Sequence, residues 1–328
     1  MSVSASTTAR FGVAFDGGEP LDVMRAIVRQ AEGAGAGNAW IACHLFRREP
    51  IACAAMALAA TASLGVVLMA MSPYTVHPVH ATMAAATLNE CFPGRVQLCF
   101  GVGSPRELAA IAVASPQPLR TLRESIEIAR GLLRGETVVF EGERFRISGR
   151  RLAMGVHQVP IKLAASGPRM LELAGEIADG VVISAGTSPE FIRWSLDHVG
   201  DGEARSGRKV DKAALVFCSV DHDEQAAHER LRSPLAYILR NQHHARNLAL
   251  AGSTLDQAAL AQAFAREDWK AIGELIDDEI VRRHGASGTP GQVAAALSRY
   301  RSAGLDEIVV MAVQESTHMQ SILAAIGS

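Results

Sequence analysis

The sequence predicts an α/β fold, a (β/α)8 TIM barrel, and three observations carry that prediction. Eight short apolar runs of strand type are spread along the 328 residues, at Phe11–Phe15, Ala39–Cys43, Gly65–Met69, Val96–Phe100, Ile161–Ala165, Gly180–Ile183, Leu215–Val220 and Ile308–Met311. Between them lie amphipathic stretches with apolar residues at helical spacing, as in Leu21–Ala34, His80–Cys91, Leu119–Leu133, Met170–Ala178 and Gln292–Ala303. Hydrophobic residues make up 48% of the chain but aromatics only 5%, so the core is built from Ala, Val, Leu, Ile and Met, which suits helices packed on buried parallel strands. Eight β-α alternations imply right-handed crossovers, and eight parallel strands close naturally on themselves. With no internal repeat and no low-complexity linker, residues 1–328 read as a single domain.

Local punctuation justifies the elements in turn. Gly33, Gly35 and Gly37 end the first helix, and Pro93-Gly94 turns the chain into the fourth strand. Ile51 to Met71 carries no charge and is long enough to span a bilayer, yet it divides into an Ala-rich helix, a turn at Thr61-Ala62-Ser63 and a β-type run, so no membrane span is expected. Thr137–Ile147 reads as a β-hairpin inserted between strands four and five. Asp221 to Gly288 is longer than a barrel unit needs; it looks helical, holds His243-His244, and is expected to cover the barrel mouth. Thr289-Pro290 sets a capping hydroxyl before a proline at the first position of the last predicted helix.

Composition excludes several functions. A net charge of −2 without a block of like charges offers no basic face for nucleic acid. The five cysteines are odd in number and form no CxxC pair, which points to the reduced thiols of a cytosolic protein. The start, MSVSASTTARFGVAF, lacks the basic segment and apolar run of a signal peptide. No G-x-S-x-G elbow or Walker motif is present. His77-Pro78-Val79-His80 has metal-like spacing but no acidic or cysteine partner nearby, so it reads as a helix start, and no metal site is expected.

In a barrel, reactive groups sit at the C-terminal ends of strands. Those ends are Asp16, Cys43-His44, Met69-Ala70, Gly101–Ser104, Ala165–Gly167, Ser184, and Met311 to Gln314. Glycines in Gly101-Val102-Gly103-Ser104-Pro105 let backbone approach a flat ligand, although a plain strand-to-helix turn has the same spelling. Ala165-Ser166-Gly167-Pro168 leads into a helix whose free amides form an anion site, or simply an ordinary helix start. His44 stands at the rim, where an imidazole serves as acid or base or only bonds a neighbouring loop. Cys43 has the ordinary reading of a small buried hydrophobe.

Three segments carry a family resemblance over nearly the whole chain: Gly94-Arg95-Val96-Gln97-Leu98-Cys99-Phe100-Gly101-Val102-Gly103; Gly131-Leu132-Leu133-Arg134-Gly135-Glu136 with the hairpin after it; and Pro160 through Pro168, continuing from Leu173 to Val181. Together they resemble the luciferase-like monooxygenase superfamily, in the branch that uses the deazaflavin coenzyme F420, typified by methylenetetrahydromethanopterin reductase. The resemblance implies a homodimeric oxidoreductase that transfers a hydride between F420 and a small organic substrate. An FMN-dependent monooxygenase and a non-catalytic flavin-binding paralogue are the alternatives. It implies a catalytic role for His44, and a cofactor site formed by Cys43, Met69, Ala70, Val102, Gly103, Ser104, Ala165, Ser166, Gly167 and Pro168. The Met69-Ala70 bond is expected to be a non-prolyl cis peptide. Two positions depart from the pattern: Cys43 stands where many relatives have Asp, and Ser104 where sugar-phosphate dehydrogenases of the branch carry an acid, so a sugar phosphate is not the expected substrate.

Overall fold

The computed structural model describes residues 10–313 and 315–327; the N-terminal segment considered for a signal peptide lies largely outside them, as does Gln314. From the N-terminus, β1 (Arg10–Phe15), α1 (Leu21–Gly33), β2 (Asn38–Ala42), α2 (Pro50–Ala60), β3 (Gly65–Met71), α3 (Pro78–Cys91) and β4 (Val96–Phe100) alternate without interruption. After β4 come a short α4 (Pro105–Ala110), α5 (Pro118–Leu133) and an antiparallel hairpin of β5 (Val138–Glu141) and β6 (Arg146–Arg150). Alternation resumes with β7 (Ile161–Ala164), α6 (Pro168–Ile177), β8 (Gly180–Ile183), α7 (Pro189–Ser206) and β9 (Asp211–Val220). A run of helices follows: α8 (Glu224–Leu239), α9 (Ala245–Ala251), α10 (Gln257–Ala265), α11 (Trp269–Leu275) and α12 (Asp278–His284). The chain ends with β10 (Ala286–Gly288), α13 (Pro290–Arg301), β11 (Glu307–Met311) and α14 (Ser316–Gly327).

Eight of these strands close a parallel barrel in the order β1-β2-β3-β4-β7-β8-β9-β11, with β11 returning to β1. They are the eight runs read from the sequence. The hairpin forms its own two-stranded sheet outside the barrel, and it runs on to Arg150. The uncharged 51–71 stretch is a helix, a turn and a strand, and no helix among the described residues is long and apolar enough to cross a membrane. One strand has no counterpart in the sequence reading: β10, at the end of the region expected to be helical, pairs with the last three residues of β9.

Strand periodicity divides the core in two. One set of side chains, including Ala14, Trp40, Val67, Met69, Cys99, Val182 and Val309, fills the barrel. The alternate set, such as Val13, Phe15, Ile41, Val66, Leu68 and Leu98, packs against the helices. Seven helices begin on a proline at the first position (α2 to α7 and α13), where the missing N–H costs nothing and φ is already helical. All but that of α5, which follows α4, fix where a strand-end loop stops.

The barrel floor is polar. Asn38 Nδ2 and Trp40 Nε1 donate to the fully buried Glu307 at 3.0 and 3.2 Å, Gln97 Nε2 donates to Asn38 Oδ1 at 2.9 Å, and Lys162 pairs with Asp211. Glycine makes room for this plug: a Cβ on Gly12 would lie 2.5 Å from Glu307 Oε1, and one on Gly65 would overlap Asn38 Oδ1. Floor and mouth are thus chemically distinct, as expected when function sits at the strand C-termini.

Candidate active site

A cavity of about 560 Å³, within the usual range for small-molecule sites, opens at the C-terminal ends of β1, β2, β9 and β11. Asp16, Glu19, His44 and Glu107 line its barrel side. Phe217, where β9 leaves its pairing with β11, Tyr237 and Ile238 of α8, and Phe264 of α10 supply an apolar wall. The helical region after Asp221 therefore does cover the mouth, with α8 and α10 as its inner surface.

His44 follows β2 directly, and its side chain is 43% exposed at the rim. Its Nδ1 lies 3.3 Å from Glu107 Oε1, while the Leu45 backbone N–H donates to Glu107 Oε2 at 3.2 Å. Burial favours the neutral Glu107 carboxyl, but the His44 ring, the Leu45 amide and the Arg47 charge outweigh it and hold the group below its usual value. Glu107 is thus an anion at neutral pH. It grips one ring nitrogen of His44 and leaves Nε2 as the nitrogen free for chemistry.

Glu107 was not read from the sequence, where Ser104 appeared to lack the acid. Its signal is a capping-box spelling, Ser104-Pro105-Arg106-Glu107, at the start of α4. The box is not formed: the Ser104 side chain makes no cap hydrogen bond, and Glu107 reaches the loop after β2 instead. Ser104 does depart from the pattern, and the carboxylate beside His44 comes from three residues further on.

Beside this pair the ends of β3, β4 and β7 form a shelf of small residues. The Met69–Ala70 peptide is cis, and the Cys43 amide donates to Met69 O at 2.6 Å. A Cβ on Gly101 would fall 2.8 Å from the Ala70 Cβ and 3.2 Å from that of Ala164, so only glycine lets these strand ends meet. Ser72 Oγ donates to Val102 O at 2.7 Å and pins the loop, with Gly103 at φ +89°. The Cys43 thiol is pushed up to about 11, first by burial and then by Glu49 and Glu107, and so stays protonated.

Ala165 is buried on this shelf, its amide donating to Val182 O at 3.1 Å. Gly167 is the N-cap of α6 and Pro168 its first residue; no side chain caps the helix, Ser166 included. Pro168 has no N–H and the Met170 amide already donates to Gly167 O at 3.0 Å, so in the first turn the Arg169 amide is left for a ligand or solvent. Of the strand-end candidates, Asp16, His44, Met311 and Ala312 line the cavity itself; of the residues expected in the catalytic and cofactor sites only His44 does, and the shelf and the 165–168 loop lie on other strand ends. Elsewhere among the described residues, Glu172, His198 and Asp201 lie close enough to share a metal ion, but Glu172 is already bound by Arg205.

Comparison with known proteins agrees with this architecture. The luciferase-like monooxygenase family matches residues 1–307. The chain is 30% identical over 306 residues to the 5,10-methylenetetrahydromethanopterin reductase of Methanolobus tindarius, an alignment covering 91% of this chain and 93% of the relative. Identity to the reductase of the same name from Archaeoglobus fulgidus is 28% over 309 residues, covering 92% of each. The structure of the coenzyme F420 dependent tetrahydromethanopterin reductase from Methanopyrus kandleri matches with a TM-score of 0.88 at 24% identity over 96% of both chains. An F420-dependent secondary alcohol dehydrogenase, solved with an F420-acetone adduct, matches at 0.81 and 19% over 97% of both. At these identities the structural likeness establishes the shared fold.

Proposed function

Because the chain belongs to the luciferase-like monooxygenase family, we propose that it is an F420-dependent oxidoreductase acting on a small organic substrate. The observation that carries the proposal is the His44–Glu107 pair at the edge of a side-chain-poor shelf in the barrel mouth. Two features fit a deazaflavin. The Ala70–Gly101–Ala164 shelf leaves backbone rather than side chains to face a planar ring. The uncapped N-terminus of α6 supplies the Arg169 amide and the helix dipole to a phosphate without needing a lysine. On this reading Cys43, Met69, Ala70, Val102, Gly103 and Ser104 support the ring, and Ala165 to Pro168 hold the phosphate.

The bound deazaflavin supplies a hydride donor or acceptor at its C5. The residues of this chain do the rest. His44 gives or takes the proton that accompanies the hydride at the substrate heteroatom. Glu107 fixes the imidazole tautomer and balances the imidazolium charge. Phe217, Tyr237 and Phe264 keep water from the reacting atoms. Cys43, protonated and against β3, packs and does not attack. We extend the proposal to one folded unit over residues 1–328, since the barrel closes only between β1 and β11, near the two ends of the chain. A homodimer in the cytosol belongs to the same proposal on the family resemblance, and light scattering checks the first of these.

The decisive experiment titrates the purified protein with F420 and with FMN in parallel, following ring fluorescence. F420 should bind more tightly. Tighter binding of FMN by about tenfold, some 1.4 kcal/mol, would move the protein to the monooxygenase side of its family.

A further inference from the structure

The lid over the cavity contains a buried cation without an anion. Arg240, the C-cap residue of α8, is 7% exposed, and its guanidinium lies over the rings of Tyr237 at 4.4 Å and Phe264 at 3.8 Å. Both rings line the cavity. No carboxylate pairs with Arg240 among the described residues, and its buried Nη1 has no hydrogen-bond partner. The charged side chain that acts on it is another cation, Arg106 of α4, one residue before Glu107. In the turn after Arg240 a second orphan occurs: His244, 2% exposed, has an Nε2 without a partner, and burial pushes the ring down to about 3, so it is neutral.

Ring faces and the carbonyl end of α8 offset part of the Arg240 charge. They leave the guanidinium fork without an acceptor, and buried charges are normally paired. An arginine kept unpaired beside a ligand cavity, with a second arginine near it and no acid to neutralise either, matches planar oxyanions.

We propose that Arg240, seated against the Tyr237 and Phe264 rings that line the cavity, is an anion seat on the lid, taking a phosphate or carboxylate carried by the molecule that fills the cavity. This deepens the proposed function and rests on it for the identity of that molecule. The seat is on the lid, opposite the barrel-side amides of α6. When occupied, it ties α8 to the ligand.

The test uses the full chain in a Gly167→Asp background. This substitution places a carboxylate at the α6 N-terminus, where a side chain has open space. Melting temperature is followed against inorganic phosphate, with sodium chloride at equal ionic strength as reference. Phosphate should raise it, and Arg240→Met should abolish the rise. No rise in the Gly167→Asp protein, or a rise that survives Arg240→Met, overturns the seat. Should Arg240→Met fail to fold, Arg240→Lys decides: it keeps the charge but loses the fork, so phosphate affinity should fall roughly tenfold, and unchanged affinity overturns the proposal. In the otherwise native chain, the source of the anion is read from deazaflavin titrations with and without its side-chain phosphate. If Arg240→Met narrows the difference between the two, the seat is confirmed on the cofactor; if it leaves the difference intact while phosphate protection is lost, the seat is confirmed on the substrate. Failure of either deazaflavin to bind refutes the functional reading, while an Arg240-dependent phosphate response still upholds the seat.

Discussion

Two glycines two residues apart on α7 should respond to the same substitution with opposite sign. Glycine inside a helix ordinarily costs about 1 kcal/mol relative to alanine, so Gly→Ala should stabilise wherever there is room. Gly200 has that room, with nothing within 4 Å of the point a methyl group would occupy. Gly202 does not. A Cβ there would overlap the Glu172 carbonyl and lie 2.8 Å from the Glu176 amide on α6, and reciprocally a Cβ on Gly175 would overlap the Val199 carbonyl. Ordinary contact begins near 3.4 Å, so the second-nearest atom alone demands a shift of about 0.6 Å, and the nearest demands more. Both obstacles are backbone and cannot rotate away. Overpacking of this kind costs about 1–3 kcal/mol, which outweighs the propensity gain. Gly200→Ala should therefore raise the melting temperature by about a degree or two, and Gly202→Ala should lower it by up to about three degrees. Differential scanning fluorimetry of the two variants is sufficient. Because α6 starts at the 165–168 loop, Gly202→Ala should also weaken phosphate-bearing ligands, whereas Gly200→Ala should not. Stabilisation by both substitutions would refute the claim that α6 and α7 meet backbone to backbone.

His44→Ala should lower turnover by about 10²-fold while deazaflavin binding persists, and Glu107→Gln by about tenfold; single-turnover rates that stay at the native value would remove both from the reaction. Two buried carboxylates should give opposite pH signatures. Burial works to raise Glu203, but Lys209, Lys212 and the Val210 amide bring it down to about 2, so its stabilisation is present above about pH 4.5 and lost as pH falls towards 2. Glu203→Gln should cost roughly 2–3 kcal/mol at pH 7 and little at pH 2.5. Glu307 is raised by burial despite its bonds from Asn38 and Trp40, so its contribution is full below about pH 4.5 and lost as pH rises through its folded value. The melting temperature of Glu307→Gln relative to the native chain should accordingly climb from acid to neutral pH; a flat difference contradicts the burial argument.

The barrel was legible because its signals are local. Each strand is a short apolar run that needs no partner to be recognised, and prolines mark seven helix starts. β10 was not legible: Ala286-Ser287-Gly288 has neither length nor apolar character, and it exists because the end of β9 offers it a parallel edge. The polar floor was hidden for a related reason. Asn38 and Glu307 are 269 residues apart, and a polar residue opening a strand looks like the end of a loop until closure makes the two neighbours. Glu107 is the instructive case, because its signal was present and had a correct ordinary meaning. Ser-x-x-Glu before a helix normally folds back on itself, the glutamate bonding the cap amide. Here Pro105 begins the helix, and the amide that claims the carboxylate is that of Leu45, from the loop after β2. A local motif offers the acid, and a non-local contact redirects it to His44. Residues at the mouth can be named from strand ends alone, but their pairing depends on which loops the closed barrel brings together. The orphaned guanidinium of Arg240 follows the same logic: its lack of a partner is a property of the assembled mouth, invisible in any window of the sequence.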